Sequence, residues 1–138
     1  MRKASLEAVA KKMKDLDLCM MLTQDGRHTL HARPMSNNGK VEYDGNSWFY
    51  TYEDSNKVRQ IEANPNVSLV FQTKNALFIE CYGQASIVRQ RSQLAEKWTE
   101  GLEQWFPQGI DTPGICLIRV AASRVQYWDG GEDGEYRS

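Results

Sequence analysis

The stretch WFYTYEDSNKVRQIEANPNVSLVF, Trp48–Phe71, changes character twice, and its reading decides the fold. It opens on a run of aromatic and β-branched residues, the composition of a strand. Val58 and Ile61 then recur at helical spacing, which predicts a short helix. Asn64-Pro65 must end that helix, because the residue before proline is driven out of the helical region. A second β-rich run, VSLVFQT, follows at once. A strand, a one-face helix and another strand, joined by tight turns, predict a sheet with a helix laid across it.

Outward from this stretch the pattern continues. Leu6, Val9, Ala10, Met13 and Leu16 form one apolar stripe over residues 4–16, predicting an N-terminal helix. LCMMLTQD and HTLHARPM are strand candidates joined at Asp25-Gly26, a hairpin signal. Asn38-Gly39 and Asp44-Gly45 bracket the brief segment KVEYD, and SWFYTY follows it. ALFIECYGQASIV alternates, with Leu77, Ile79 and Cys81 on one face and Phe78, Glu80 and Tyr82 on the other, so it belongs at the centre of the sheet. Residues 89–106 return to helical spacing through Leu94, Trp98, Leu102 and Trp105. ICLIRVA and SRVQYW complete the sheet, and the acidic residues from about 130 read as a frayed tail. The sum is a mainly β, α+β chain of seven or eight strands, one domain over residues 1–138.

Composition narrows the function. The 138 residues are 41% apolar and 25% charged, with a formal net charge of -1. No basic face is available for a nucleic acid or an anionic membrane. The N-terminal residues lack the uninterrupted apolar core of a signal peptide, and no later run is long enough to span a bilayer. Cys19, Cys81 and Cys116 are odd in number and far apart, as expected of free thiols in a reducing cytoplasm. His28 and His31 sit three apart on a predicted strand, poor geometry for a shared metal, and no metal site is expected. No nucleophile elbow, P-loop, GxGxxG or HExxH is present, so no catalytic side chain is assigned, and any catalysis would rest on a cofactor.

Two segments carry candidate anion chemistry. Ser55-x-Lys57 stands at the start of the predicted helix, where free backbone N–H groups and partial positive charge favour an anion. The same residues also suit an ordinary cap, with Ser55 or Asp54 as N-cap and Lys57 in solvent. The adjacent Glu53 and Asp54 would repel an anion and are expected to point to solvent. In HARPM, Arg33 precedes Pro34, which cannot donate to a sheet ladder and marks an edge or bulge.

The ordered segments ARPM, WFYT, Ser55-x-Lys57, NPNVSLVF, YGQASIV and RVQYWDGG resemble the flavin-binding split-barrel family of pyridoxamine 5'-phosphate oxidase, in its general-stress-protein-like branch. The similarity runs from the first helix to Gly131. It implies a six-stranded antiparallel split β-barrel with flanking helices, a homodimer, and FMN, or the larger FAD, in a cleft at the dimer interface. By the same resemblance Arg33, Ser55 and Lys57 hold the flavin phosphate, at on the order of 1.5–3 kcal/mol for each charge-assisted bond. Pro34 and Met35 line the ring through their backbone, with Phe49, Tyr50 and Thr51 on the neighbouring strand. Trp128 packs on the flavin from the other subunit. Trp105 and Phe106 match no motif but are candidates for the same cleft. The true oxidases follow their Trp-x-Gly-Gly with a basic, histidine-bearing segment, where this chain has EDGEYRS. The resemblance therefore implies a flavin-dependent oxidoreductase of an unidentified small molecule, with a non-catalytic flavin or redox-stress protein as the alternative. A haem-binding relative and pyridoxamine phosphate oxidation stand behind these.

Overall fold

A computed structural model describes residues 1–36 and 41–138. Among these, eight strands and three α-helices follow one another: β1 (Arg2–Lys3), α1 (Leu6–Met13), β2 (Leu18–Gln24), β3 (Leu30–Ser36), β4 (Asn46–Tyr52), α2 (Asn56–Ala63), β5 (Asn66–Gln72), β6 (Leu77–Val88), α3 (Arg91–Lys97), β7 (Ile115–Asp129) and β8 (Glu132–Arg137). The fold is mainly β and almost wholly antiparallel, with β1–β8 as the parallel pair.

The strand count corrects the six implied by the resemblance. β2 to β7 account for six, in the spatial order β4-β7-β6-β5-β2-β3, and β8 with β1 add two beside the far half of β7. The acidic C-terminal residues are not frayed. Glu132–Arg137 pair with Arg124–Asp129 as a hairpin, and Tyr136 packs against the core. The Tyr127 ring lies over Gly134, where a Cβ would come within 2.4 Å of it, so only glycine fits that position of β8.

Three further expectations change. ICLIRVA and SRVQYW form one 15-residue strand, β7, rather than two. A bulge in β7, where Ser123 is the extra residue opposite the Tyr82–Gly83 step, lets β6 stay paired along it. The helix expected over 89–106 stops at Lys97, since Trp98 is extended and Gly101 is left-handed at φ 101°. Here tertiary packing outweighs periodicity: Tyr50, Trp98 and Phe106 meet edge to face, with ring centroids 5.2–6.4 Å apart. Val41–Gly45 form no strand, while Asn38-Gly39 and Lys40 lie outside the described residues.

Other boundaries follow the local code. Ser5 caps α1, accepting from Ala8 N at 3.0 Å, and Val9 and Met13 bury the predicted stripe. Asn64 ends α2 in an extended conformation ahead of Pro65. β6 lies between β5 and β7, with Ile79 and Cys81 in the core and Phe78 exposed. Full burial of Phe49, Phe71, Leu69, Ile79 and Ile118 contributes about 1.5–3 kcal/mol each. The consecutive strands β3 and β4 do not pair with each other: β3 pairs with β2, and β4 with β7. The sheet is therefore split between them.

Candidate anion and cofactor site

The split leaves two segments facing it that carry the candidate residues. On β3, alternation turns Arg33 and Met35 inward and Pro34 outward. Arg33 lies opposite Met21, in a row that continues through Leu69, Cys81 and Val125, all in the core. Its guanidinium donates to Thr23 Oγ1 at 2.7 Å and to the Met21 carbonyl at 3.3 Å from Nη1, and to Gln60 Oε1 at 3.1 Å from Nη2. Thr23 Oγ1 in turn donates to Gln60 Oε1 at 2.6 Å. Burial lowers the Arg33 pKa, and none of its partners is a carboxylate.

α2 supplies the other half. Ser55 is its N-cap: Oγ accepts from Val58 N at 3.4 Å and donates to the Tyr52 carbonyl at 2.9 Å. Both roles hold the helix start, as the capping alternative expected. Lys57 is not in open solvent, however. It is half-buried, and its pKa is lowered first by burial and then by the charge of Arg33. Gln60 follows Lys57 by three residues and so shares its side of the helix, which is how the Arg33 partner also brings the two cations together. Among the described residues Lys57 has neither an ion pair nor a side-chain hydrogen bond. The first-turn amides of Asn56 and Lys57 precede the earliest intrahelical bonds, from Val58 to the cap and from Arg59 to the Ser55 carbonyl.

The acidic pair divides. Asp54 is 98% exposed and pairs with Arg59. Glu53, expected in solvent, is instead gripped by Arg89 through Nε at 2.9 Å and through Nη2. Arg89 thereby holds the Glu53 carboxyl below its ordinary pKa.

Farther along the split lies a cleft of about 420 Å³ bounded by Ser36, Trp48, Tyr50, Trp105, Asp15 and Asp17, among others. Phe49 and Thr51 turn their side chains into the core, while Tyr50 faces outward and donates to the Leu94 carbonyl at 2.5 Å. Trp105 is exposed on this cleft, and Phe106 is buried behind Tyr50 and Tyr52. Ser36 is three residues from Arg33, roughly 10 Å along an extended strand. Trp128 is elsewhere: it pairs with Phe78 and Asp133 on the outer face, four strands from β3 and opposite the inward row of Arg33.

Sequence reasoning passed over Thr23, Gln60, Trp48 and Arg89. Thr23 left a signal, being a polar residue in phase with the core positions Cys19 and Met21 of β2. The three thiols are free and buried, and burial pushes Cys19 and Cys81 up to about 12 and Cys116 to about 11, so none is a ready nucleophile. No helix among the described residues is long and apolar enough to cross a membrane.

Comparison with known proteins agrees with this fold. The structure is similar to that of a protein from Xanthomonas campestris pv. campestris described as of the general stress family, with a TM-score of 0.77 and 27% identity over 94% of this chain and 92% of the other. It is similar to the general stress FMN/FAD binding protein of Xanthomonas citri, with a TM-score of 0.77 and 24% identity over 92% and 89%. A pyridoxamine 5'-phosphate oxidase-related, FMN binding protein of Nostoc punctiforme matches with a TM-score of 0.71 and 15% identity over 86% and 78%. No curated protein matches the sequence. The model of the family described as pyridoxamine 5'-phosphate oxidase like matches residues 4–136. Over nearly its whole length, then, the chain belongs to the pyridoxamine 5'-phosphate oxidase-like family.

Proposed function

We propose that the protein is a homodimeric flavoprotein that binds FMN along the β3–β4 split and serves as an oxidoreductase of a small molecule. The observation that carries this reading is the approach of Arg33 to Lys57 with no carboxylate partner for either among the described residues. Two half-buried cations that repel each other are costly unless an anion joins them. A phosphate there takes charge-assisted bonds from both, together with the Asn56 and Lys57 amides. Ser55 serves the seat by capping α2 and so holding those amides in place. The residues present therefore fit a phosphate. The cleft roughly 10 Å farther along suits the flat ring of a molecule whose phosphate ends a ribityl chain. In this arrangement the backbones of Pro34, Met35, Phe49, Tyr50 and Thr51 run beside the ring.

FMN when bound supplies the electron-transfer chemistry. The chain binds and orients: Thr23 and Gln60 fix the Arg33 fork, and the Tyr50 phenol, committed to the Leu94 carbonyl, braces β4 against α3. The second copy enters through Trp128. Its place on the outer face, opposite that of Arg33, means that one chain cannot bring both to one flavin. The outer face also exposes Leu18, Met20, Leu30, Val70 and Phe78, an apolar surface suited to a second chain.

The test is direct. Purified protein titrated with FMN, and separately with FAD because the Xanthomonas citri relative is described as binding either, should quench flavin fluorescence at one equivalent per chain. Absence of binding to both removes the reading. Anaerobic addition of NADH or NADPH then separates an enzyme, whose yellow colour bleaches, from a carrier, whose colour persists.

A further inference from the structure

Glu53 is the carboxylate nearest in sequence to the start of α2 that is not simply exposed. Its backbone N–H donates to the Gly114 carbonyl at 2.6 Å and its carbonyl accepts from Ser55 N at 3.1 Å, which fixes it two residues ahead of the N-cap. The charges of both Glu53 and Lys57 act on the buried Cys116 sulfur, which lies on β7 opposite Thr51 of β4. A free Glu53 carboxylate, held at the N-terminal end of α2 four residues before Lys57, would oppose an anion bound at the Asn56 and Lys57 amides. Arg89 prevents this. Nε spans the two carboxylate oxygens at 2.9 and 3.1 Å, Nη2 adds a further bond, and the same Nη2 reaches Glu62 Oε2 at 3.3 Å in the last turn of α2.

We propose that Arg89 is a positioning residue for the anion seat: it neutralises and holds Glu53, so that the Lys57 end of the split stays cationic. This rests on the flavin-phosphate reading above. Fork-to-carboxylate geometry suits the task, because a side-on guanidinium fixes the direction of the carboxylate as well as offsetting its charge. It also explains why an acidic residue is tolerated beside a phosphate seat.

The experiment compares FMN with riboflavin, which lacks the phosphate, on four proteins: wild type, Arg89→Ala, Glu53→Gln and the double variant. Arg89→Ala should weaken FMN about tenfold and leave riboflavin unchanged. Glu53→Gln alone should bind FMN as wild type does, and the double variant should recover to within about threefold of wild type. Arg89→Lys, which keeps the charge, should fall between wild type and Arg89→Ala, and gives the same reading if the alanine variant does not fold. Equal loss of FMN and riboflavin, or no recovery in the double variant, would show that Arg89 merely braces α2, and would overturn the proposal. Failure of wild type to bind FMN would instead overturn the flavin reading, and this inference with it.

Discussion

The Arg33 guanidinium on β3 lowers the pKa of the Lys57 ammonium on α2, from across the split in the sheet. Burial of Lys57 acts in the same direction and is the larger cause. A lysine whose folded pKa is below its unfolded value binds protons less well when folded. Its charge therefore costs stability at neutral pH, a cost relieved only as pH rises through the lowered pKa. Lys57→Met should accordingly weaken FMN binding about ten- to a hundredfold while leaving the apoprotein at least as stable as wild type. Flavin titration and thermal unfolding of the apoprotein check the two halves. A variant that loses both flavin and stability would show that Lys57 is structural.

Asp25 offers the opposite sign. It is held near 2, first by the His31 ring at 2.9 Å and then by the backbone N–H groups of Arg27 and Thr29 at 2.8 and 3.1 Å. A depressed carboxylate pKa stabilises the fold above the unfolded value near 3.8 and ceases to do so as pH falls through about 2. Asp25→Asn should therefore be less stable than wild type at pH 7, with the difference closing towards pH 2. Urea unfolding of both proteins across that window measures it, and a constant difference would contradict the assignment.

Gly83 of β6 faces the bulge of β7, where a Cβ would lie 2.1 Å from the Ala121 carbonyl oxygen and 2.9 Å from Ala122 Cα. These are backbone atoms of the central strand and cannot swing aside. Gly83→Ala should cost about 3 kcal/mol or more. Denaturant midpoints, or failure to recover folded protein, report the effect. Gly26→Ala, with open space at its Cβ, is the control.

Val70 is exposed on the outer face between Met20 and Glu80. Val70→Glu should be tolerated by the single chain but should break the proposed dimer, since a carboxylate cannot be desolvated there unpaired. Sedimentation should show a monomer, and flavin affinity should fall with it, because Trp128 of the second copy is then lost. A monomeric variant with wild-type flavin affinity would show that the site is complete within one chain.

Much of the architecture was legible because it is local. Alternation in β6 identified its two faces, Asn64-Pro65 ended α2, and the apolar stripe over 4–16 located α1. Arg33, Ser55 and Lys57 were picked out by residue chemistry at element ends and by resemblance to a family. What the sequence could not convey depends on which distant segments meet. The late helix yields at Trp98 to an aromatic cluster built with β4, and the acidic C-terminus becomes a strand because β7 and β1 pair with it on either side. Glu53 turns from solvent to Arg89 only because β4 and β6 end side by side across β7. YTYEDSNK by itself is a capped helix start. It becomes a candidate phosphate seat when pairing through β2 carries Arg33 to Gln60, and thereby to Lys57, a juxtaposition that arises from strand order and not from the chemistry of neighbouring residues.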